Sequence, residues 1–316
     1  MTMQDQQQQT AATSAASLAS IAPATQVGIA GLTVADLDRE VTFYTDALGF
    51  QVLERRDNEV ILGAGGRPVL ALRHLPGADL APERATGLYH FAILLPTRAD
   101  LGRWLRHWLE AGFGVPGQGD HLVSEALYLS DPEGNGIEIY RDRPRDEWTW
   151  VNGQVRMATD PVDLRGVLAD ADREGTPWAG MPAGTRIGHM HLKVGDIARA
   201  EAFYHDVLGF DIVARMPSAL FVSAGGYHHH IGMNTWHSRG AGPAPEGSTG
   251  LRFFSLELPE EEARAAVVAR LDAAGIAHTE TGNAVLLRDP WQNVILLHIG
   301  PATDATAATA LADALA

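Results

Sequence analysis

The sequence predicts an α+β fold built from four strand–helix–strands units, which follow one another as two consecutive pairs. The main observation is a gapless internal repeat, in which residues 34–50 recur as residues 194–210 at a constant offset of 160. A weaker repeat of a strand, a helix and further strands follows each copy. No Gly-rich phosphate loop stands at a strand-to-helix junction, which argues against a doubly wound, nucleotide-binding sheet.

The strong repeat predicts a helix with well-marked ends in the first and third units. Asp36 and Asp196 stand where an N-cap belongs, because a short acidic side chain accepts hydrogen bonds from free backbone N–H groups. Gly49 and Gly209 stand where the left-handed residue after a helix belongs. Alternating apolar and polar residues predict a strand on either side of each helix, at residues 29–34, 51–55, 189–194 and 211–214.

The weaker repeat predicts the second and fourth units. In the second unit, a strand, an amphipathic helix, a strand, a turn and a strand are expected at residues 89–95, 99–112, 126–129, 131–135 and 136–140. In the fourth unit, the same elements are expected at residues 252–258, 260–275, 284–287, 289–293 and 294–298. An Asp-Pro pair marks both turns.

Both ends of the chain are predicted to be tails. Residues 1–26 are rich in Gln, Ala, Ser and Thr, and this composition predicts a disordered segment. A secretory signal would need a basic start and a continuous apolar stretch, and this segment has neither. Residues 301–316 are rich in alanine, which leaves open a marginal helix or no regular structure.

The middle of the chain is predicted to be a linker. Residues 143–185 contain four prolines and one short helical candidate at residues 163–171. This divides the chain into a first domain at residues 27–142, which holds units one and two, and a second at residues 186–300, which holds units three and four.

Composition excludes several classes of function. The 316 residues carry 24 basic and 39 acidic side chains, a formal charge of −15, which argues against a nucleic-acid or anionic-membrane partner. The absence of cysteine excludes disulfides, thiolate metal sites, iron–sulfur clusters and a cysteine nucleophile. No apolar run approaches the roughly 20 residues of a membrane helix. A soluble, cytoplasmic protein is expected, and its oligomeric state, a homo-oligomer included, stays open.

Several motifs resemble those of the vicinal oxygen chelate superfamily. They are the Phe-Tyr-x-x-x-Leu-Gly-Phe segments at residues 43–50 and 203–210, and the Asp-Pro-x-Gly-Asn-x-Ile-Glu segment at residues 131–138. The resemblance covers about residues 27–300 and implies βαβββ modules paired into two half-open barrels around a metal. More narrowly, residues 117–140 and 223–236 resemble the bacterial catechol 2,3-dioxygenases of the extradiol class.

The resemblance implies a metal site. In the superfamily one ligand lies early on the first strand of a module and another is a glutamate on the last strand, which points to His90, Glu138 and His189. Two histidines and one carboxylate are the ligand set of non-haem Fe(II) oxygenases, and manganese accepts the same ligands. His191 is the rival of His189, two residues further along the same strand face, but only His189 matches the position of His90.

These ligands come from unit two and unit three. We therefore expect unit two to pair with unit three in one barrel, and unit one with unit four in the other. A domain-exchanged dimer would bring the same three side chains together.

The resemblance also implies residues for proton chemistry. A catechol has to lose protons to chelate a metal, and a neutral histidine suits that step. His229 is the preferred acid–base residue, and a strand register would place His228 and His230 on the opposite face or at the edge. His228 stays the second candidate for that role. Tyr128 is expected to hydrogen-bond a substrate hydroxyl, and His121 to face the same region.

The function implied is an Fe(II)-dependent extradiol dioxygenase that takes a small aromatic diol and O2 and opens the ring beside the two hydroxyls. Two alternatives stay open within the same superfamily. One is a metal-dependent isomerase or transferase of the glyoxalase type, which needs a fourth protein ligand. The other is a metal-free protein that sequesters a small molecule.

Overall fold

The computed structural model describes residues 20–315. Its strands are β1 Gln26–Val34, β2 Gln51–Arg55, β3 Glu59–Ala64, β4 Arg67–His74, β5 Gly87–Leu94, β6 Gly117–Asp120, β7 Ser124–Ser130, β8 Gly136–Asp142, β9 Trp150–Val151, β10 Gln154–Val155, β11 Arg186–Lys193, β12 Asp211–Met216, β13 Ala219–Ser223, β14 Ile231–Asn234, β15 Gly250–Leu258, β16 His278–Thr281, β17 Ala284–Arg288 and β18 Val294–Ile299. Its α-helices are α1 Leu37–Thr42, α2 Arg98–Glu110, α3 Leu164–Glu174, α4 Ile197–Glu201, α5 Glu261–Ala273 and α6 Ala305–Asp313.

Two large sheets contain most of the strands, and each sheet joins a unit of the first half of the chain to a unit of the second half. One has the order β16-β17-β18-β15-β1-β4-β3-β2 and combines units four and one. The other has the order β12-β13-β14-β11-β5-β8-β7-β6 and combines units three and two. The expected pairing is therefore confirmed, and one chain is sufficient for it. Each sheet draws strands from both predicted domains, whose boundaries stay a prediction.

The two repeated helices begin and end as predicted. The side chains of Asp36 and Asp196 accept hydrogen bonds from backbone N–H groups of the first turn. Gly49 and Gly209 have φ angles of 89° and 87°, which a side chain would strain. The last turn of each helix widens into a π-helix, over Phe43–Ala47 and Ala202–Val207, which the residue pattern did not predict.

The half-barrel of units one and four is filled by apolar side chains. The positions equivalent to the predicted ligands hold Ile29 and Phe253 on the first strands, and Ala71 and Leu296 on the last strands. All four are buried in one cluster, which Leu311 of α6 completes. The alanine-rich C-terminal stretch thus forms a helix that packs into this barrel, because its small apolar side chains fit the cluster.

The predicted linker is folded onto unit two. It contains a 3₁₀ turn at Arg145–Glu147, the β9–β10 hairpin and α3, whose N-cap is Asp163. The helix candidate is confirmed, with an end three residues later than expected. α3 lies close against α2, since a Cβ at Gly102 would come within 2.3 Å of the Val167 carbonyl oxygen. The Arg98 guanidinium also donates to the Asp170 carboxylate at 2.8 Å.

Part of the predicted N-terminal tail is ordered. Residues 1–19 lie outside the described residues, but residues 20–26 are ordered, which corrects the prediction of a disordered segment up to residue 26. Ile21 is buried and its backbone N–H donates to the Gly209 carbonyl oxygen at 2.7 Å. Burial of this isoleucine extends the ordered chain toward the N-terminus. Among residues 20–315, no helix has the length and apolarity that crossing a membrane requires.

Glu40 is a buried acid in α1, and it makes stability depend on pH. Burial, with a smaller contribution from Asp131, raises the pKa of Glu40 to about 9. The unfolded chain releases this proton near pH 4.5, so folding stability decreases as the pH rises from there toward 9. The equivalent position in unit three is a buried alanine, Ala200.

We therefore expect Glu40→Ala to remove part of the alkaline loss of stability. Between pH 6 and pH 8 the wild type should lose on the order of 2 kcal/mol more unfolding free energy than the variant, measured by urea denaturation. Asp38→Ala, at an exposed position of the same helix, should keep the wild-type slope. An equal slope in Glu40→Ala and wild type would mean that Glu40 ionises in the folded protein as it does in the unfolded chain.

Candidate metal centre

Three predicted ligands converge on the concave face of the sheet formed by units two and three. His90 lies on β5, Glu138 on the neighbouring β8, and His189 on the neighbouring β11. Glu138 Oε2 lies 3.0 Å from His90 Nε2 and 3.2 Å from His189 Nε2. The three ligand atoms all lie within 4.8 Å of one another, and all three side chains are buried. The structure thus brings together residues that the sequence separates by about 100 positions.

The donor set fits a divalent cation. His90 Nε2 is buried and has no hydrogen-bond partner among residues 20–315, although it faces the carboxylate. Burial favours a raised pKa for Glu138, but His189 and His90 outweigh it and hold that pKa well below its usual range. Burial lowers the pKa of His189 to about 4. Metal binding requires an ionised carboxylate and neutral imidazoles, and the pKa directions of Glu138 and His189 fit this requirement.

His191, the rival ligand, lies beside this cluster in a different role. Its Nε2 accepts a hydrogen bond from the Asn234 side-chain amide at 3.0 Å. Its ring packs 4.8 Å from the ring of His90, centroid to centroid. Because the amide already uses Nε2, His191 is held as a wall of the site.

The three consecutive histidines do not form a strand, and this corrects the expected register. They lie between β13 and β14, after Tyr227 and the pair Gly225 and Gly226, whose φ angles are 57° and 66°. These left-handed residues end the alternation of a strand, so His228 and His229 do not point to opposite faces. Their Nδ1 atoms lie 2.9 Å apart. His230 turns away and accepts from the Ala224 N–H at 3.1 Å.

The hydrogen-bond directions at this turn follow from one carboxylate. Asp142 can only accept, so His228 Nε2 donates to its Oδ1 at 2.9 Å. In the neutral ring, His228 Nδ1 then accepts, and His229 Nδ1 donates to it. His229 Nε2 is left with a free lone pair. The His229 ring lies 4.1 Å from that of His189, while His228 is buried behind it.

Tyr128 and His121 form a second hydrogen-bonded chain on the other side of the cluster. Tyr128 lies opposite Glu138 in the β7–β8 pairing. His121 Nδ1 lies 2.7 Å from the Ala158 carbonyl oxygen, which can only accept, so Nδ1 donates. His121 Nε2 therefore accepts from the Tyr128 hydroxyl at 2.5 Å. Burial raises the pKa of Tyr128 well above its usual range, which keeps the phenol neutral.

A cavity of about 680 Å³ opens beside these groups. Its wall is largely apolar and aromatic, with Leu88, Tyr89, Leu129, Ile137, Met157, Met216, Phe221 and Trp236. His90, Glu138, His189, Tyr128, His121 and His229 line it as well. A volume of this size suits a small aromatic molecule, which would lie against the predicted metal ligands.

Sequence reasoning missed four contributors to this site. Ala158 and its neighbour Met157 come from the predicted linker, and no local pattern indicates that this segment reaches the cavity. Asp142 follows Glu138 at a spacing of four on the same strand, which could have indicated it. Lys193 follows His189 at the same spacing.

The sequence is similar to known proteins over most of its length. The model of the Glyoxalase/Bleomycin resistance protein/Dioxygenase superfamily matches residues 25–139 and 186–297. A catechol-2,3-dioxygenase of Bacillus subtilis (strain 168) is 49% identical over 278 residues, which cover 86% of this chain and 96% of that protein.

Solved structures have a similar fold. A dioxygenase candidate from Bacillus subtilis subsp. subtilis str. 168 has a TM-score of 0.60 at 14% identity, covering 87% of this chain and 86% of that chain. Glyoxalase I from Zea mays has a TM-score of 0.53 at 17% identity, covering 90% of this chain and 94% of that chain. At these identities the likeness concerns the fold alone.

Proposed function

Because the chain belongs to the Glyoxalase/Bleomycin resistance protein/Dioxygenase superfamily, we propose that it is an extradiol dioxygenase that opens a catechol ring with O2. The catechol-2,3-dioxygenase at 49% identity supports this choice among the activities of the superfamily. His90, Glu138 and His189 would hold the metal, which we propose to be Fe(II). A ferrous enzyme without cysteines suits a reducing cytoplasm, which is the location that we propose.

The observation that carries the proposal is the cluster of two imidazoles and one carboxylate in the lining of the cavity. The bound iron would supply open coordination positions for both catechol oxygens and for O2. The apolar wall around the cavity would hold the ring and exclude water.

The two alternatives have less support. A glyoxalase-type site needs a fourth protein ligand, and the cluster within residues 20–315 consists of three residues. A metal-free binding protein would leave His90 Nε2 buried without a partner beside a buried carboxylate, which is costly. A bound cation removes that cost.

Tyr128 and His121 would receive the first proton from the substrate. The Tyr128 hydroxyl donates to His121 Nε2, so the phenol oxygen is free to accept a hydrogen bond from a catechol hydroxyl. As that proton arrives, the tyrosine proton can pass to His121. The Ala158 carbonyl holds the imidazole in the required tautomer.

His229 would act as the second proton acceptor and as the later donor. Its Nε2 lone pair is free because Asp142 and His228 fix the tautomer through Nδ1. It lines the cavity beside His189, within reach of a ligand at the metal. His228 would position His229, a narrower role than the acid–base role that the sequence left open.

The direct test is ring cleavage by the purified protein. Metal-free protein is loaded with Fe(II), Mn(II) or Zn(II) without oxygen and then mixed with catechol in air. We expect a yellow semialdehyde product and uptake of one O2 per ring with Fe(II), and no product with Zn(II), which lacks redox chemistry. Activity with Mn(II) but not with Fe(II) would show that the metal is manganese. Isomerisation of a glutathione hemithioacetal, without ring cleavage, would favour the glyoxalase type.

A further inference from the structure

Lys193 is the only lysine in the chain, and it lines the same cavity as the metal cluster. It stands on β11 four residues after His189 and two after His191. Residues at this spacing share one face of a strand, so these three side chains face the cavity in a row. The one lysine side chain of the sequence therefore lies at the opposite end of the row from the ligand His189.

Two of the three N–H groups of the Lys193 ammonium have no hydrogen-bond partner within residues 20–315. Nζ donates to the Glu83 carbonyl oxygen at 3.1 Å, which uses one of its three N–H groups. No carboxylate oxygen within residues 20–315 forms an ion pair with it, whereas Arg98 and Arg141 each bind the Glu125 carboxylate. Burial lowers the pKa of Lys193, and the Glu83 carboxylate opposes that shift.

The apolar surroundings of Lys193 favour an ion pair between its ammonium group and an anionic group of the ligand. Leu88, Met216 and Trp236 lie on the same cavity wall and present apolar surface to it. An anion that meets an ammonium group in such surroundings binds more strongly than it does in bulk water. Four strand residues span about 13 Å, enough for one aromatic ring with a metal contact at one end and an ion pair at the other.

We propose that Lys193 binds an acidic substituent on the substrate ring, so that the preferred substrate is a catechol bearing a carboxylate opposite the diol. This inference rests on the proposed function and narrows its substrate class. The carboxylate accepts hydrogen bonds from the free N–H groups of Nζ, and the apolar wall holds the ring between the two ends of the cavity.

The test compares an anionic and a neutral diol of similar size, 3,4-dihydroxybenzoate and 4-methylcatechol. For the Fe(II)-loaded wild type, we expect kcat/KM to favour the anionic diol at least about tenfold. In Lys193→Met this ratio should fall on the order of 10- to 100-fold, mainly through KM, and Lys193→Arg should restore part of it. Arg186→Met removes a cation from the same strand, where it donates to Gln26, and should keep the wild-type ratio.

A binding measurement separates this inference from the proposed function. Calorimetric titration without oxygen measures the affinity for each diol and does not depend on ring cleavage. In Lys193→Met, the ratio of the affinity for the anionic diol to that for the neutral diol should fall by the same factor as the kcat/KM ratio. An unchanged ratio in that variant, or an equal loss for both diols, would overturn the role of Lys193 and indicate that it only ties Glu83 to β11. If neither diol is cleaved, the proposed function is wrong, and the affinity ratio still decides the role of Lys193.

Discussion

Glu138→Ala is expected to abolish metal retention, and so are His90→Ala and His189→Ala. Each side chain would supply one of three protein bonds to the ion, because the three ligand atoms lie within 4.8 Å of one another. Loss of one ligand should weaken binding by more than about 100-fold, since even partners outside the ligand set are worth 10- to 100-fold. Metal content after anaerobic loading and dialysis checks this, and circular dichroism should remain that of a folded protein.

His191→Ala is the matched control for these variants. It removes an imidazole two residues from His189 on the same strand, but this ring is held by Asn234 and stands outside the cluster. The variant should retain iron. Loss of iron in His191→Ala, together with full occupancy in His189→Ala, would show that the ligand on β11 is the later histidine.

His229→Gln is expected to lower kcat by about 100-fold while iron occupancy stays near that of the wild type. The amide fills much of the space of the ring but cannot take a proton at the position of Nε2. Catechol should still bind, because its two oxygens would be held mainly by the ion. Steady-state kinetics, metal analysis and anaerobic substrate titration separate these three effects.

His228→Phe distinguishes a positioning role from an acid–base role. It keeps a ring behind His229 but removes the acceptor for the Nδ1 proton and the link to Asp142. We expect a smaller loss of kcat, about tenfold. Nitrogen NMR of the metal-free protein should show His229 protonated at Nδ1 in the wild type and as a mixture of tautomers in the variant. A larger loss in His228→Phe than in His229→Gln would reverse the two roles, and loss of iron in His229→Gln would add it to the ligands.

Much of the architecture could be predicted from the sequence because it depends on local chemistry. The helix that begins after Asp36 and ends at Gly49 follows from one hydrogen-bonding side chain and one left-handed residue. Because residues 34–50 recur as residues 194–210, the same prediction applies to the third unit. The resemblance to the vicinal oxygen chelate superfamily points to His90, Glu138 and His189 as ligands, and the equivalent positions of the other barrel are apolar, so the metal cluster could be predicted as well.

The sequence and its family resemblance predicted the four units, their order and the three side chains of the cluster. What those side chains face depends on the tertiary structure. The contact between Asp142 and His228 spans 86 positions, and the hydrogen bond from His121 to Ala158 joins unit two to the predicted linker. The first contact arises when the β5–β11 pairing closes the sheet, and the second when the linker pairs with the end of β6 at Asp120 and Asp160. No periodicity along the chain encodes either distance. Proton positions and the shape of the cavity therefore follow from the assembled barrel, because they depend on which distant backbone groups lie within about 3 Å of each side chain.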